Sequence, residues 1–173
     1  MFRIIAKSLA TGVVTGRHPE ADHALEPVSP EAIEKAKPFR RSLTIRAVDT
    51  GSCNACEMEL NALINPIYDV ERFGVHIAAS PRHADALVVT GPVTVNMERP
   101  LKEVYKATPD PKLVIALGDC ALTCGVFKGS YAVTGPVDRH LPVDVRIPGC
   151  PPKPAEILAA LSDLRGENLP PHQ

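Results

Sequence analysis

No stretch of this 173-residue chain approaches the ~20 consecutive apolar residues that a membrane-spanning helix needs. The opening MFRIIAKSLATG is apolar only in short pieces, broken by Arg3 and Lys7, so it does not read as a secretory signal. Neither sign of charge dominates: the formal net charge is −1, which argues against a general nucleic-acid binder. Internal repeats and low-complexity tracts are absent. The five cysteines do not look like the disulfide framework of a small secreted domain. Together these absences predict a soluble, intracellular chain. In a reducing compartment, clustered cysteines bind metal or do redox chemistry more often than they staple a fold.

What is present suffices for one compact domain with a full core, because 45% of the residues are hydrophobic. Charge is unevenly placed. Residues 1–46 hold eight Lys/Arg against five Asp/Glu, a balance of +3, and the remainder eleven against fifteen, a balance of −4. A basic arm on an acidic body hints at a docking tail, although solvated surface charge accounts for the same counts.

Residues 1–40 read as an arm. Phe2, Ile5, Ala6 and Leu9 recur at helical spacing and predict a short amphipathic helix. The following HPEADHALEPVSPEAIEKAKPF (18–39) is polar and broken by proline, as an extended linker would be. Five strands are predicted beyond Arg41: LTIRAVD (43–49), FGVHIAA (73–79), ALVVTG (86–91), KLVIALG (112–118) and VDVRIPG (143–149). Helices are predicted over about 54–64, over about 99–107 with Pro100 in the first turn, and from Pro154 to about Leu164. Alternating strands and helices predict an α/β domain over 41–173, an open, doubly wound parallel sheet of flavodoxin type. Such sheets bind ligands in the crevice beyond the carboxyl ends of their strands.

The cysteines fall at those ends. Cys53 and Cys56 follow the first strand in DTGSCNACEMELNAL (49–63), Cys120 follows the strand 112–118 in GDC, and Cys150 follows the strand 143–149 in PGC. The spacing is C-x2-C-x63-C-x29-C. Gly51, Gly118 and Gly149 accompany them, allowing close approach of the backbone, whose N–H groups can donate to cluster sulfurs. The prolines of PGCPP, Pro151 among them, stiffen the last loop. Three chemistries remain open. A redox dithiol at a helix N-terminus needs no third or fourth cysteine. Structural zinc usually takes two short cysteine knuckles, and only one pair here is short. An iron–sulfur cluster tolerates dispersed ligands, and the spacing favours it.

GSCNACEMEL (51–60), SPRHADALVVTGPVT (80–94), GDCALTCGVF (118–127) and LPVDVRIPGCPPKP (141–154) occur in this order. Over about residues 43–164 they resemble the family shared by the 20-kDa subunit of NADH:quinone oxidoreductase (complex I) and the small subunit of [NiFe] hydrogenases. Complex I members carry two adjacent cysteines in the first motif. Here Asn54 and Ala55 separate Cys53 from Cys56, which is similar to the small subunits of membrane-bound, energy-converting (group 4) hydrogenases, including the formate hydrogenlyase type.

The resemblance implies that Cys53, Cys56, Cys120 and Cys150 bind one [4Fe-4S] cluster proximal to a partner's active site, with Gly51, Ser52, Gly118, Gly149 and Pro151 around it. Cys124 stands where many relatives carry glycine and is read as a non-ligand. Glu57 and Glu59 are candidates for a proton relay, or are carboxylates favoured by a helix N-terminus. Arg82 and His83 match the family pattern as interface residues, whereas His18, His23, His76, His140 and His172 read as structural or surface groups. The implied partners are a hydrogenase large subunit, a ferredoxin-like iron–sulfur subunit and membrane-arm subunits, at the cytoplasmic face of the membrane. The opening residues resemble the start of the ferredoxin-like companion, which implies that the arm contacts such a neighbour. A complex I-like quinone-reducing subunit is the alternative within the family, and a zinc-stabilised, non-redox interaction module the alternative outside it.

Overall fold

The computed structural model describes residues 27–166. The helix expected within residues 2–9, and His18, His23 and His172, lie outside that range. Five parallel strands form the main sheet: β1 (Leu43–Asp49), β2 (Val75–Ile77), β3 (Ala86–Thr90), β5 (Leu113–Leu117) and β7 (Val145–Ile147), in the order β2-β1-β3-β5-β7. Between them, β4 (Val93–Thr94) and β6 (Val133–Gly135) pair as a separate antiparallel ribbon. Counted within the main sheet, the order is 2-1-3-4-5, the flavodoxin-like arrangement, whose topological switch point lies between β1 and β3.

The two central strands explain themselves. β3 (ALVVT) and β5 (LVIAL) are buried at every residue, as strands covered on both faces must be. Alternate residues then feed two cores. Ile45, Val88, Ile115 and Leu117 face one, which is closed by α1 (Pro30–Ala36), α2 (Ala55–Ala62) and α5 (Pro154–Arg165). Leu87, Val89, Val114 and Ala116 face the other, where Leu101 packs from α3 (Val95–Ala107). Each fully buried aliphatic side chain contributes about 1.5–3 kcal/mol, so these interleaved rows hold the strand ends in fixed register.

Two local expectations need correction. Residues 30–36, expected within an extended linker, form α1. Ser29 caps it by accepting from the Ala32 N–H at 3.2 Å, Pro30 suits its first turn, and Ala32 and Ala36 are buried in the core. Lys35 fixes it to the sheet edge by donating to Asp144 at 2.8 Å, while Asp144 accepts from the Val114 N–H. Helix α3 starts at Val95 rather than near Arg99, which places Pro100 inside it. Only one carbonyl near the helix start loses its partner there, so the ring is tolerated. The β4–β6 ribbon and the short helix α4 (Asp119–Thr123) were too brief to show a period in the sequence.

Candidate metal centre

Parallel strands deliver their following loops to one edge. β1 leads into Cys53 and Cys56, β5 into Cys120 and β7 into Cys150. β3 lies between β1 and β5, and its last residue, Thr90, is fully buried at the same edge. Cys56, Cys120 and Cys124 are buried, whereas Cys53 and Cys150 are exposed.

The first loop is shaped by its polar side chains. Asp49 Oδ1 accepts from the backbone N–H groups of Gly51 and Ser52, both at 2.8 Å, turning the chain out of the strand. The Ser52 hydroxyl accepts from the Asn54 N–H at 2.9 Å and donates to Glu57 Oε2 at 2.8 Å. Asn54 takes the left-handed conformation (φ 70°) between the two cysteines, a conformation asparagine visits more readily than most residues. The second Glu57 oxygen accepts a hydrogen bond from the Thr90 hydroxyl. Both Glu57 oxygens are thus occupied, and the C-x-x-C turn is tied to the end of β3. Glu59 is half-buried on the same helix.

The other two loops meet directly. Gly118 N–H donates to the Ile147 carbonyl at 2.7 Å, Asp119 N–H to the Gly149 carbonyl at 2.9 Å, and Gly149 N–H to Asp119 Oδ1 at 2.8 Å. Gly118 has φ +87°, and a Cβ built on it would stand 2.6 Å from Cys56 Sγ. The missing side chain is therefore the space that Cys56 sulfur occupies. A Cβ on Gly125 would stand 2.9 Å from Cys120 Sγ.

Electrostatics group the same four thiols. Burial first, then Glu57, Cys120, Cys53 and Cys150, push the Cys56 thiol from an ordinary 9.0 up to about 12. Cys120 is also pushed up, by burial first and then by Cys150, with a smaller opposing hydrogen bond from the Val126 backbone. Cys124 is not among the leading influences on either thiol. Among the described residues, no group of three or more His, Cys, Asp or Glu side chains is gathered as a single metal ion would require. Arg82 and His83 sit in the turn entering β3, at the edge opposite the cysteines. His140 is occupied with the Thr134 hydroxyl at 3.1 Å and the Glu98 carboxylate at 3.6 Å.

The family model of the NADH ubiquinone oxidoreductase 20 Kd subunit matches residues 53–164, a span that begins on Cys53 and contains all five cysteines. The chain belongs to that family. Among relatives of this 20 Kd subunit family, the "Probable membrane-bound hydrogenase subunit mbhJ" of Pyrococcus furiosus is 52% identical over 118 residues, 68% of this chain and 71% of its own length. Formate hydrogenlyase subunit 7 of Escherichia coli is 47% identical over 122 residues, 70% of this chain but 48% of its own length, so the chain spans about half of that relative. A solved chain from the membrane-bound sulfane sulfur reductase, an archaeal respiratory membrane complex, superposes with a TM-score of 0.66 at 32% identity, covering 79% of this chain and 75% of that one. These relatives are subunits of oxidoreductase complexes. Among the described residues, no helix is long and apolar enough to cross a membrane.

For this 20 Kd family member, the sequence motifs located the cysteine loops but not what braces them. Thr90, Asp49, Asp119 and Gly125 were missed. Asp119 and Gly125 lie inside the quoted GDCALTCGVF motif, where adjacency to cysteine was the available signal. Thr90 lies inside the quoted SPRHADALVVTGPVT but neighbours no cysteine, and its partner, Glu57, is 33 residues away.

Proposed function

We propose that the chain is the electron-transfer small subunit of a membrane-bound, energy-converting [NiFe] hydrogenase. In this reading Cys53, Cys56, Cys120 and Cys150 hold one [4Fe-4S] cluster, and Cys124 does not. The donor set fits such a group: four thiols stand on three loops that leave one sheet edge, Cys120, Cys53 and Cys150 all act on Cys56, and Gly118 leaves the room that Cys56 sulfur takes. When bound, the cluster would pass single electrons between a nickel–iron site on a large subunit and clusters on a ferredoxin-like subunit. The chain's own residues do the rest. Glu57, Ser52 and Thr90 fix the first loop, the glycines let backbone approach the sulfurs, and buried aliphatic strand ends keep water from the inner thiols Cys56 and Cys120.

The observation that carries the reading is that the loops bearing the separated pair Cys53–Cys56, Cys120 and Cys150 all leave the carboxyl edge of one parallel sheet, in a chain 52% identical to a protein named as a hydrogenase subunit. A complex that reduces sulfane sulfur is the competing reading, since a solved chain from such a complex is 32% identical; the 52% identity to a protein named as a hydrogenase subunit favours the hydrogenase reading. The subunit would sit peripherally at the cytoplasmic face, joined to the membrane through its partners, with the arm of residues 1–40 contacting the ferredoxin-like neighbour. The test is anaerobic isolation of the complex through a tag on this chain. Nickel in a co-purified large subunit, with hydrogen-dependent reduction of a viologen dye, is the expected result. A nickel-free complex that reduces sulfane sulfur or a quinone would replace the reading.

A further inference from the structure

Asp119 and Gly149 each stand immediately before a cysteine, Cys120 and Cys150. They are joined by two hydrogen bonds of opposite sense, Asp119 N–H to the Gly149 carbonyl at 2.9 Å and Gly149 N–H to Asp119 Oδ1 at 2.8 Å. The regular pairing of β5 with β7 ends at Leu117 and Ile147, and the Gly118-to-Ile147 bond is the last between these strands. Beyond it the main chain supplies one more link, and the second comes from the Asp119 side chain. Without that carboxylate the Gly149 N–H, at a buried residue, loses its acceptor, and the Cys150 loop is held to the Cys120 loop by a single bond.

We infer that Asp119 is a positioning residue that locks the Cys120 loop to the Cys150 loop and so sets the separation of those two thiols before a cluster arrives. This rests on the cluster reading above. The hydrogen bond to a carboxylate is charge-assisted and stronger than a neutral one, which suits a brace across two otherwise independent loops. A helix-terminus role is insufficient to explain the residue, since α4 is only five residues long and its side chain points its oxygen at the neighbouring loop rather than at its own helix. The same brace keeps a carboxyl group on the residue next to Cys120.

The experiment compares the full chain with Asp119→Ala and Asp119→Asn, all produced anaerobically and loaded with iron and sulfide. The asparagine keeps a carbonyl oxygen for the Gly149 N–H and loses only the charge. Asp119→Ala is expected to release iron to a ferrous chelator faster than wild type. Asp119→Asn is expected to hold iron as wild type does while its reduction potential, followed by electron spin resonance, moves to a more positive value. Cobalt titration of the cluster-free chains, read by thiolate-to-cobalt absorption, is expected to show affinity falling about 10- to 100-fold in Asp119→Ala and little in Asp119→Asn. Equal iron retention and equal cobalt affinity in wild type and Asp119→Ala would overturn the inference, as would Asp119→Asn behaving like Asp119→Ala. Should the alanine variant not fold, the asparagine variant decides: retained iron with a raised potential supports the brace, and lost iron overturns it. If wild type itself takes up no iron, the cluster reading fails, and the cobalt comparison still decides for or against the brace.

Discussion

Replacing Gly118 by alanine tests the site at its tightest point. The backbone there has φ +87° and ψ 157°, a region open essentially to glycine, so any side chain meets strain of about 1–3 kcal/mol. The added Cβ would also stand 2.6 Å from Cys56 Sγ and 3.3 Å from the Gly149 carbonyl oxygen. Sulfur would have to retreat by about 1 Å to reach ordinary contact, and overpacking of this kind costs about 1–3 kcal/mol more. The expected loss is therefore about 2–6 kcal/mol, a large part of the 5–15 kcal/mol that holds a typical domain together. Gly129→Ala is the control. Its φ is +84°, close to that of Gly118, but a Cβ there meets nothing within 4 Å. Its positive φ disfavours a side chain, but no clash is added and the thiols are left undisturbed. Urea unfolding of the cluster-free chains should give the larger loss for Gly118→Ala, and iron analysis of anaerobically loaded chains should show retention only in wild type and Gly129→Ala. Equal stability and equal iron content in the two variants would refute the claim that the missing Gly118 side chain makes room for Cys56.

Three further outcomes follow from the same geometry. Cys120→Ser is expected to lose the iron signal and Cys124→Ser to keep it, as read by iron analysis and electron spin resonance; the reverse result would reassign the ligand. Glu57→Ala removes the acceptor of the Ser52 and Thr90 hydroxyls, and leaving the buried Thr90 hydroxyl with only its long contact to the Val48 carbonyl is expected to cost about 1–3 kcal/mol in urea unfolding, whereas Glu57→Gln keeps an acceptor and loses less. The Cys56 thiol is held neutral in the folded, cluster-free chain, with its pKa raised from about 9 to about 12, so its contribution is complete below pH 9 and is lost as the pH climbs towards 12. Unfolding midpoints measured across that range should therefore fall more steeply for wild type than for Cys56→Ala, and parallel curves would contradict the assignment.

The fold was legible where hydrophobic period and length agree. KLVIALG reads as a strand buried on both faces and ALVVTG as a strand, and they occupy the middle of the sheet as β5 and β3. The alternation of strands with helices then placed every cysteine loop at the carboxyl edge, which is why residues as distant as Cys53 and Cys150 could be grouped without coordinates. Residues 30–36 were misread because their prolines and charges outweighed the short apolar stripe, whereas Ala32 and Ala36 needed only a small footprint to pack against α5. The braces Glu57–Thr90 and Asp119–Gly149 were invisible for a different reason. Each joins segments about 30 residues apart, and no local pattern encodes which carboxylate oxygen meets which neighbour.

The central claim is that thiols from three loops at one sheet edge share a single iron–sulfur core. Metal and sulfide analysis of the anaerobically purified chain tests it most directly. About four iron atoms with matching acid-labile sulfide, in a brown protein that gains an electron spin resonance signal on reduction, is the predicted result. A colourless protein carrying one zinc ion and no sulfide would contradict it.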